Sequence, residues 1–161
     1  MSQWLLAIYA EHRRGLFSHA LSITQCGADA EDAVQNAIAS LVARNRPRGD
    51  AVAYVFRCVR NAALDLRRGN RRELEVVESL YVQCHARGFH EQDDSLNEYS
   101  AILRRAVDEL DDRSREAIVL KVYAGLTFRQ IEQVTGESAS TVATRYRRAL
   151  SKLRERLRGR V

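Results

Sequence analysis

Residues 127–148 read TFRQIEQVTGESASTVATRYRR, and they decide the architecture of the C-terminal third. Thr127 with Gln130 three residues later has the spacing of a capping box, in which the cap hydroxyl and the third side chain satisfy each other's backbone N–H groups. Ile131 and Val134 give the short helix one apolar step, Gly136 ends it, and Ser138 can cap a second helix. On that helix Val142, Tyr146, Ala149, Leu153 and Leu157 form one stripe. A short helix, a glycine-led turn and a second helix with arginines outside is the helix-turn-helix layout, whose second helix enters the DNA major groove with its N-terminal half. The face opposite the stripe carries Ser140, Thr141, Thr144, Arg147 and Arg148. Small residues permit close approach, and arginines pair with guanine edges or phosphates. Arg145 projects about 100° from Thr144, which suits a phosphate contact or an acidic partner in its own domain. Antiparallel helical hairpins imitate this pattern, so the rest of the chain has to decide between the two.

Upstream, Asp111 or Asp112 can cap a helix with Ile118, Val119, Val122 and Tyr123 inward and Gly125 as its stop. Before it, Leu96, Tyr99, Ile102, Leu103, Ala106, Val107 and Leu110 repeat at helical steps. At the other end of the chain a first helix spans about Gln3 to Thr24, with Gly27 expected to stop it, and Asp29 can cap a second helix to about Arg44. The first turn of that helix is expected to hold three carboxylates, Asp29, Glu31 and Asp32, at the positive end of its dipole, with Gln35 and Asn36 also outside. Pro47 and Gly49 signal a loop, and a third helix follows from about Ala51 to Arg68, with Arg57, Arg60, Asn61, Asp65 and Arg68 exposed. Residues 69–94 are weakly periodic, with a helical turn expected around Glu75 to Val82. The fold class is all-α: two small helical domains joined by a linker, the C-terminal one a helix-turn-helix. The boundaries are 1–72, a linker over 73–95, and 96–161.

The composition of the 161 residues supports this reading, with 45% apolar and 29% charged residues and a single proline. Seven of the eight glycines punctuate apolar-periodic stretches, and only Gly15 sits inside one. The longest apolar run, Trp4 to Ala10, is far too short to span a bilayer, so no membrane insertion is expected. No signal-peptide layout opens the chain, which points to the cytoplasm. Three scattered cysteines (Cys26, Cys58 and Cys84) give neither a disulfide framework nor a zinc knuckle, and Cys84, His85 and His90 lack a second ligand pair. No metal, cofactor or catalytic residue is expected. The four histidines have no partner at a spacing that suggests catalysis, and nothing in the sequence argues for an enzyme.

Charge is segregated along the chain. Residues 1–43 carry net −2, residues 44–72 net +7, residues 73–116 net −7 and residues 117–161 net +7. Two basic blocks, each on a recognisable helix, suggest two separate polyanion contacts. The acidic block between them reads as a solvated linker. A sharper reading is that it repels DNA between the two contacts, or folds back on a basic face when the protein is idle.

Two further stretches now carry a resemblance. DAEDAVQNAIASLV (29–42) resembles the region-two helix of bacterial sigma factors, and AYVFRCVRNAALDLRR (53–68) resembles the helix that follows it. Residues 110–154 resemble sigma region four throughout. The order, and the lack of room for regions one and three, is the plan of the extracytoplasmic-function (ECF) group of sigma-70-type factors. The chain departs from the group's common pattern at Asn36, Val42, Tyr54, Ser140 and Ala143.

The resemblance implies a sigma factor that directs core RNA polymerase to promoters and helps open the minus-ten region. It implies that Asp29, Glu31, Asp32 and Gln35 dock on the polymerase clamp. It implies that Arg57, Arg60, Asn61 and Arg68 hold the unwound minus-ten strand, with residues 45–54 as the pocket loop; Tyr54 and Phe56 there suit base stacking or core packing. Ser140, Thr141, Thr144, Arg145, Arg147 and Arg148 would meet the minus-thirty-five duplex. The partners implied are RNA polymerase core, promoter DNA and, as is common in the group, an anti-sigma factor. A stand-alone helix-turn-helix regulator is the alternative, but it has no need of an acidic helix followed by an arginine-rich one.

Overall fold

A computed structural model describes residues 1–74 and 98–159, and every regular element among them is helical. The N-terminal unit is α1 (Gln3–Thr24), α2 (Gly27–Leu41) and α3 (Ala51–Leu74), packed three ways around Leu5, Leu16, Ala20, Leu21, Ala33, Leu41, Val55, Phe56 and Val59. The C-terminal unit is α4 (Glu98–Asp108), α5 (Asp112–Ile118), α6 (Phe128–Thr135) and α7 (Ala139–Arg158). The expected turn at Glu75 to Val82, the register of Leu96, and Cys84, His85 and His90 lie outside the described residues.

Most helix ends fall where the local sequence signals place them. Thr127 and Gln130 form the capping box in both directions, Gly136 ends α6 at a positive φ of 79°, and Ser138 accepts from the Thr141 N–H at the start of α7. Asp111, rather than Asp112, caps α5. Two ends differ from expectation. Gln25, not Gly27, terminates α1 in the left-handed region at φ 54°, so α2 begins at Gly27 and only Asp29 sits in its first turn. The α3 helix runs on to Leu74, past the expected Arg68, because no breaker other than Gly69 intervenes.

The helix after α5 also differs. It continues as a π-helical turn over Val119–Tyr123, which inserts one residue into the helical register. Val119 and Leu120 stay buried, while Val122 and Tyr123, expected inward, are 56% and 52% exposed. Ala124 is thereby aimed at α1. There the mid-helix Gly15 finds its reason: a Cβ at position 15 would stand 3.0 Å from Ala124 Cα and 3.1 Å from Ala124 Cβ. Glycine inside a helix costs roughly 0.5–1 kcal/mol relative to alanine. Here it admits the backbone of the other unit.

The two units share one core. Ala117, Leu120, Ala124, Leu126, Ile131, Val134 and Val142 of the C-terminal unit belong to the same buried cluster as Leu16, Val55, Phe56 and Val59. A smaller cluster private to the C-terminal unit comprises Ala106, Val107, Leu110, Ile118, Ala149 and Leu153, flanked by Tyr146 and Leu150. Arg115 is buried beside it, donating to the carbonyls of Val107, Asp108 and Leu110 at the C-terminal end of α4. A guanidinium suits that place, since carbonyls at and just past a helix C-terminus run short of backbone donors and lie at the negative end of the dipole.

Candidate nucleic-acid interface

Three sets of charged and polar side chains stand on α2, α3 and α7, and each is set out by helix geometry. On α2, Ala30, Ala33, Val34, Ala37, Ile38 and Leu41 face the core, which leaves Glu31, Asp32 and Gln35 exposed on the opposite side. Asp29 is only half exposed and accepts a hydrogen bond from Asn70 of α3. That contact tethers the start of the acidic face to the end of the arginine helix.

On α3, Arg57, Asn61 and Arg68 are exposed as expected, with Arg68 loosely paired to Asp65 at 3.7 Å. Arg60 is not free. Its Nε donates to Glu116 Oε1 at 2.7 Å and its Nη2 to Oε2 at 3.4 Å, while His19 Nε2 lies 2.9 Å from the same Oε1. Glu116 is 8% exposed and His19 fully buried against Phe56. The two partners outweigh the desolvation of Glu116 and hold its carboxyl well down, from 4.5 to about 2. Folding therefore joins a histidine to a carboxylate 97 positions away, and no spacing rule could have signalled it. Phe56 is fully buried and serves the core rather than stacking bases, and Tyr54 accepts a hydrogen bond from Arg44 at 3.0 Å.

The acidic block is not simply solvated at its C-terminal end. Asp111 is a cap, Asp112 pairs with Arg67 at 2.8 Å, and Glu116 is the buried partner of Arg60, so carboxylates fold back on the basic α3. Asp50, at the end of the 45–50 loop, accepts from the Ala53 N–H and from Gln130 Nε2 at 2.9 and 3.0 Å. One side chain thus caps α3 and ties the loop to α6.

On α7, Ser140, Thr141, Thr144, Arg147 and Arg148 are exposed together on one face. Arg145 takes the second of its two expected roles: it pairs with Glu137 at 3.3 Å, and Arg113 holds the same carboxylate at 2.8 Å. An open groove of about 500 Å³ runs between α5 and this face, lined by Asp111, Ser114, Ser140, Thr141, Thr144, Arg145, Arg148 and Lys152. Thr144 Oγ1 donates back to the Ser140 carbonyl at 3.0 Å, which fixes its rotamer. Among the described residues no helix is long and apolar enough to cross a membrane, and no cluster of ligating side chains could hold a metal ion.

Residues 8–73 match the family model for sigma-70 region 2, and residues 100–153 match that for sigma-70 region 4. The chain belongs to the sigma-70 family, with the two-region plan of its ECF group. It is 27% identical over 158 residues to the RNA polymerase sigma factor SigV of Bacillus subtilis strain 168, covering 95% of this chain and 90% of SigV. The fold is similar to that of the sigma factor RpoE from Bartonella quintana, solved in complex with the anti-sigma factor NepR. The TM-score there is 0.75 at 24% identity, over 97% of this chain and 95% of RpoE. As an ECF-type sigma factor the chain works with core RNA polymerase and promoter DNA in transcription initiation. The two matched segments correspond in order to the acidic and arginine helices and then to the helix-turn-helix.

Proposed function

We propose that the exposed acidic face of α2 (Glu31, Asp32 and Gln35, with Asp29 at its tethered end) docks on the polymerase clamp. The arginine face of α3, with Arg57, Arg60, Asn61 and Arg68, holds the unwound minus-ten strand. Single-strand capture needs cations for the backbone, and a groove wall that carries them on a rigid helix keeps their spacing. The start of α7 reads the minus-thirty-five duplex through Thr144, Arg147 and Arg148, with Ser140 and Thr141 at the phosphate entry and Arg145 held by Glu137. The division into 1–72, 73–95 and 96–161 follows these roles. The factor performs no catalysis of its own and acts in the cytoplasm; an anti-sigma protein, as NepR is to RpoE, is its proposed inhibitor. The observation that carries the reading is that Glu31 and Asp32 stand exposed on the outer face of α2 while the helix after it is arginine-rich.

Asp32→Lys tests the docking assignment. It leaves the fold intact, since an exposed residue on the second turn of α2 carries only about 0.3–1 kcal/mol of dipole energy. It weakens co-elution with core polymerase by at least tenfold. A folded variant with wild-type affinity overturns the assignment, and a chain that ignores polymerase but binds duplex DNA as a dimer would be a stand-alone regulator.

A further inference from the structure

We infer that Arg113, Glu137 and Arg145 form a phosphate clamp at the rim of the helix-turn-helix. In it the two arginines grip the sugar-phosphate backbone beside the minus-thirty-five element, and Glu137 is a positioning residue. The inference rests on the assignment of the α7 face to that duplex, and it adds Arg113 of α5 and Glu137 of the turn to the DNA-facing set.

Glu137 lies between Gly136, which ends α6, and Ser138, which caps α7, so its carboxylate stands at the turn itself. Its Oε1 accepts from Arg113 Nη1 at 2.8 Å, and its Oε2 pairs with Arg145 Nη2 at 3.3 Å. One acid thus holds a guanidinium of α5 beside a guanidinium of α7, and two cations against one anion leave a surplus positive charge. Its backbone is fixed as well: the Glu137 N–H donates to Thr135 Oγ1 at 3.3 Å, and that hydroxyl donates to the Ile131 carbonyl at 2.9 Å. Arg145 lines the same open groove as Thr141, Thr144 and Arg148, and Ser114, the neighbour of Arg113, lines it from α5. The Arg113 side chain is 70% exposed. Each guanidinium gives one nitrogen to Glu137, and among the described residues neither has another partner, so the remaining N–H donors of each fork are open to a phosphate.

Stability does not account for this arrangement. An ion pair with a partner as exposed as Arg113 contributes little to folding, because water screens it and ordering two long side chains costs entropy. A lone carboxylate beside the start of a DNA-reading helix would repel phosphates. Paired twice, the same carboxylate instead restricts two flexible arginines to one geometry, which lowers the ordering cost of a charge-assisted phosphate contact. Contacts of this kind fix the register of a protein on the duplex and carry no base information. They leave Thr144, Arg147 and Arg148 to read sequence.

The sign of one substitution separates the clamp from a bystander charge. Glu137→Ala makes the helix-turn-helix more positive, so on net charge alone it tightens DNA binding, whereas loss of the clamp weakens it. The measurement is fluorescence anisotropy of holoenzyme, made from core polymerase and the full chain, on a promoter duplex selected from random sequence by the wild-type holoenzyme. Arg113→Ala should weaken binding about fivefold, equally for every single-base variant of the minus-thirty-five element, and lower the salt slope by about 0.9. Glu137→Ala should weaken binding about threefold, and adding Arg113→Ala to it should cost much less than Arg113→Ala does alone, because the two residues act as a unit. Each variant should melt within about 2 °C of wild type, which sets the effect apart from a loss of folding. Should Glu137→Ala melt lower, Arg113→Ala on its exposed side chain still decides. Tighter binding by Glu137→Ala, an unchanged salt slope for Arg113→Ala, or strictly additive losses overturn the clamp. Arg148→Ala on the same duplexes keeps the two readings apart. If it relaxes choice at one base pair while Arg113→Ala changes nothing, the clamp alone falls; if Arg148→Ala changes nothing either, the assignment of α7 to the duplex falls with it.

Discussion

The N-terminal and C-terminal units are both small helical bundles, yet they hold themselves together differently. The first surrounds Phe56, Leu16 and Val55 with residues from its own three helices. The second has a small private core around Ala106, Leu110, Ile118 and Leu153, and lends Leu120, Leu126, Ile131 and Val134 to a core shared with its neighbour. Domains near 60 residues are marginal even when they bury all their apolar residues internally. The comparison teaches that the DNA-reading half is the half that depends on company, so whatever parts the two units also loosens the helix-turn-helix.

The sharpest way to break that comparison is to cut the chain. A fragment of residues 1–74 should melt cooperatively, while residues 98–161 should melt far lower or without a sharp transition by circular dichroism. Equal melting temperatures would show that the shared core matters little. Next in size is Phe56→Ala, which empties a fully buried aromatic site and should cost about 3–5 kcal/mol in urea unfolding of the whole chain. Arg115→Ala uncovers three carbonyls within the C-terminal unit and should cost about 2–4 kcal/mol, with the loss concentrated in hydrogen-exchange protection of α4 and α5. If protection falls in α1–α3 instead, the units are one cooperative body.

Acid supplies a gentler test. Glu116 has its carboxyl lowered from 4.5 to about 2, so its contribution is fully present above pH 4.5 and is lost as pH falls toward 2. Across that window the folded carboxyl stays ionised opposite Arg60 and His19 while the unfolded chain takes up the proton, so the contact's contribution falls until Glu116 itself protonates near pH 2. Glu116→Gln should flatten the acid limb of the stability curve below pH 4.5. The smallest effects belong to α7: Arg148→Ala should relax preference at one base pair of the minus-thirty-five element by about 1–3 kcal/mol. Arg145→Ala, which removes a partner of Glu137, should weaken all sequences alike when binding is measured against single-base promoter variants.

Much of this was legible in the sequence because it is local. Capping boxes, helix stops and amphipathic stripes depend on residues three or four apart, and Thr127, Gln130, Gly136 and Ser138 behaved accordingly. The exposed faces of α2 and α7 followed from the same periodicity. What stayed hidden is what joins distant stretches. Glu116 lies in an acidic run that reads as solvent-facing, and His19 lies in an apolar stripe that reads as core; only their meeting explains both. Gly15 was visible as an anomaly, the one glycine inside a helical pattern, and its cause lies more than a hundred residues away in Ala124. Val122 and Tyr123 were misplaced because a regular 3.6-residue period cannot anticipate an inserted residue.

That inserted residue acts like a vernier on a dial. Removing one codon anywhere within 119–123 would restore the ordinary helical pitch and turn everything downstream by about 100°. The DNA-reading surface would remain well formed, yet Ala124 would no longer meet the notch at Gly15, and Glu116 and Gln130 could not both reach their partners. A single-codon deletion would thus change how the halves mate without altering a residue of the exposed α7 face.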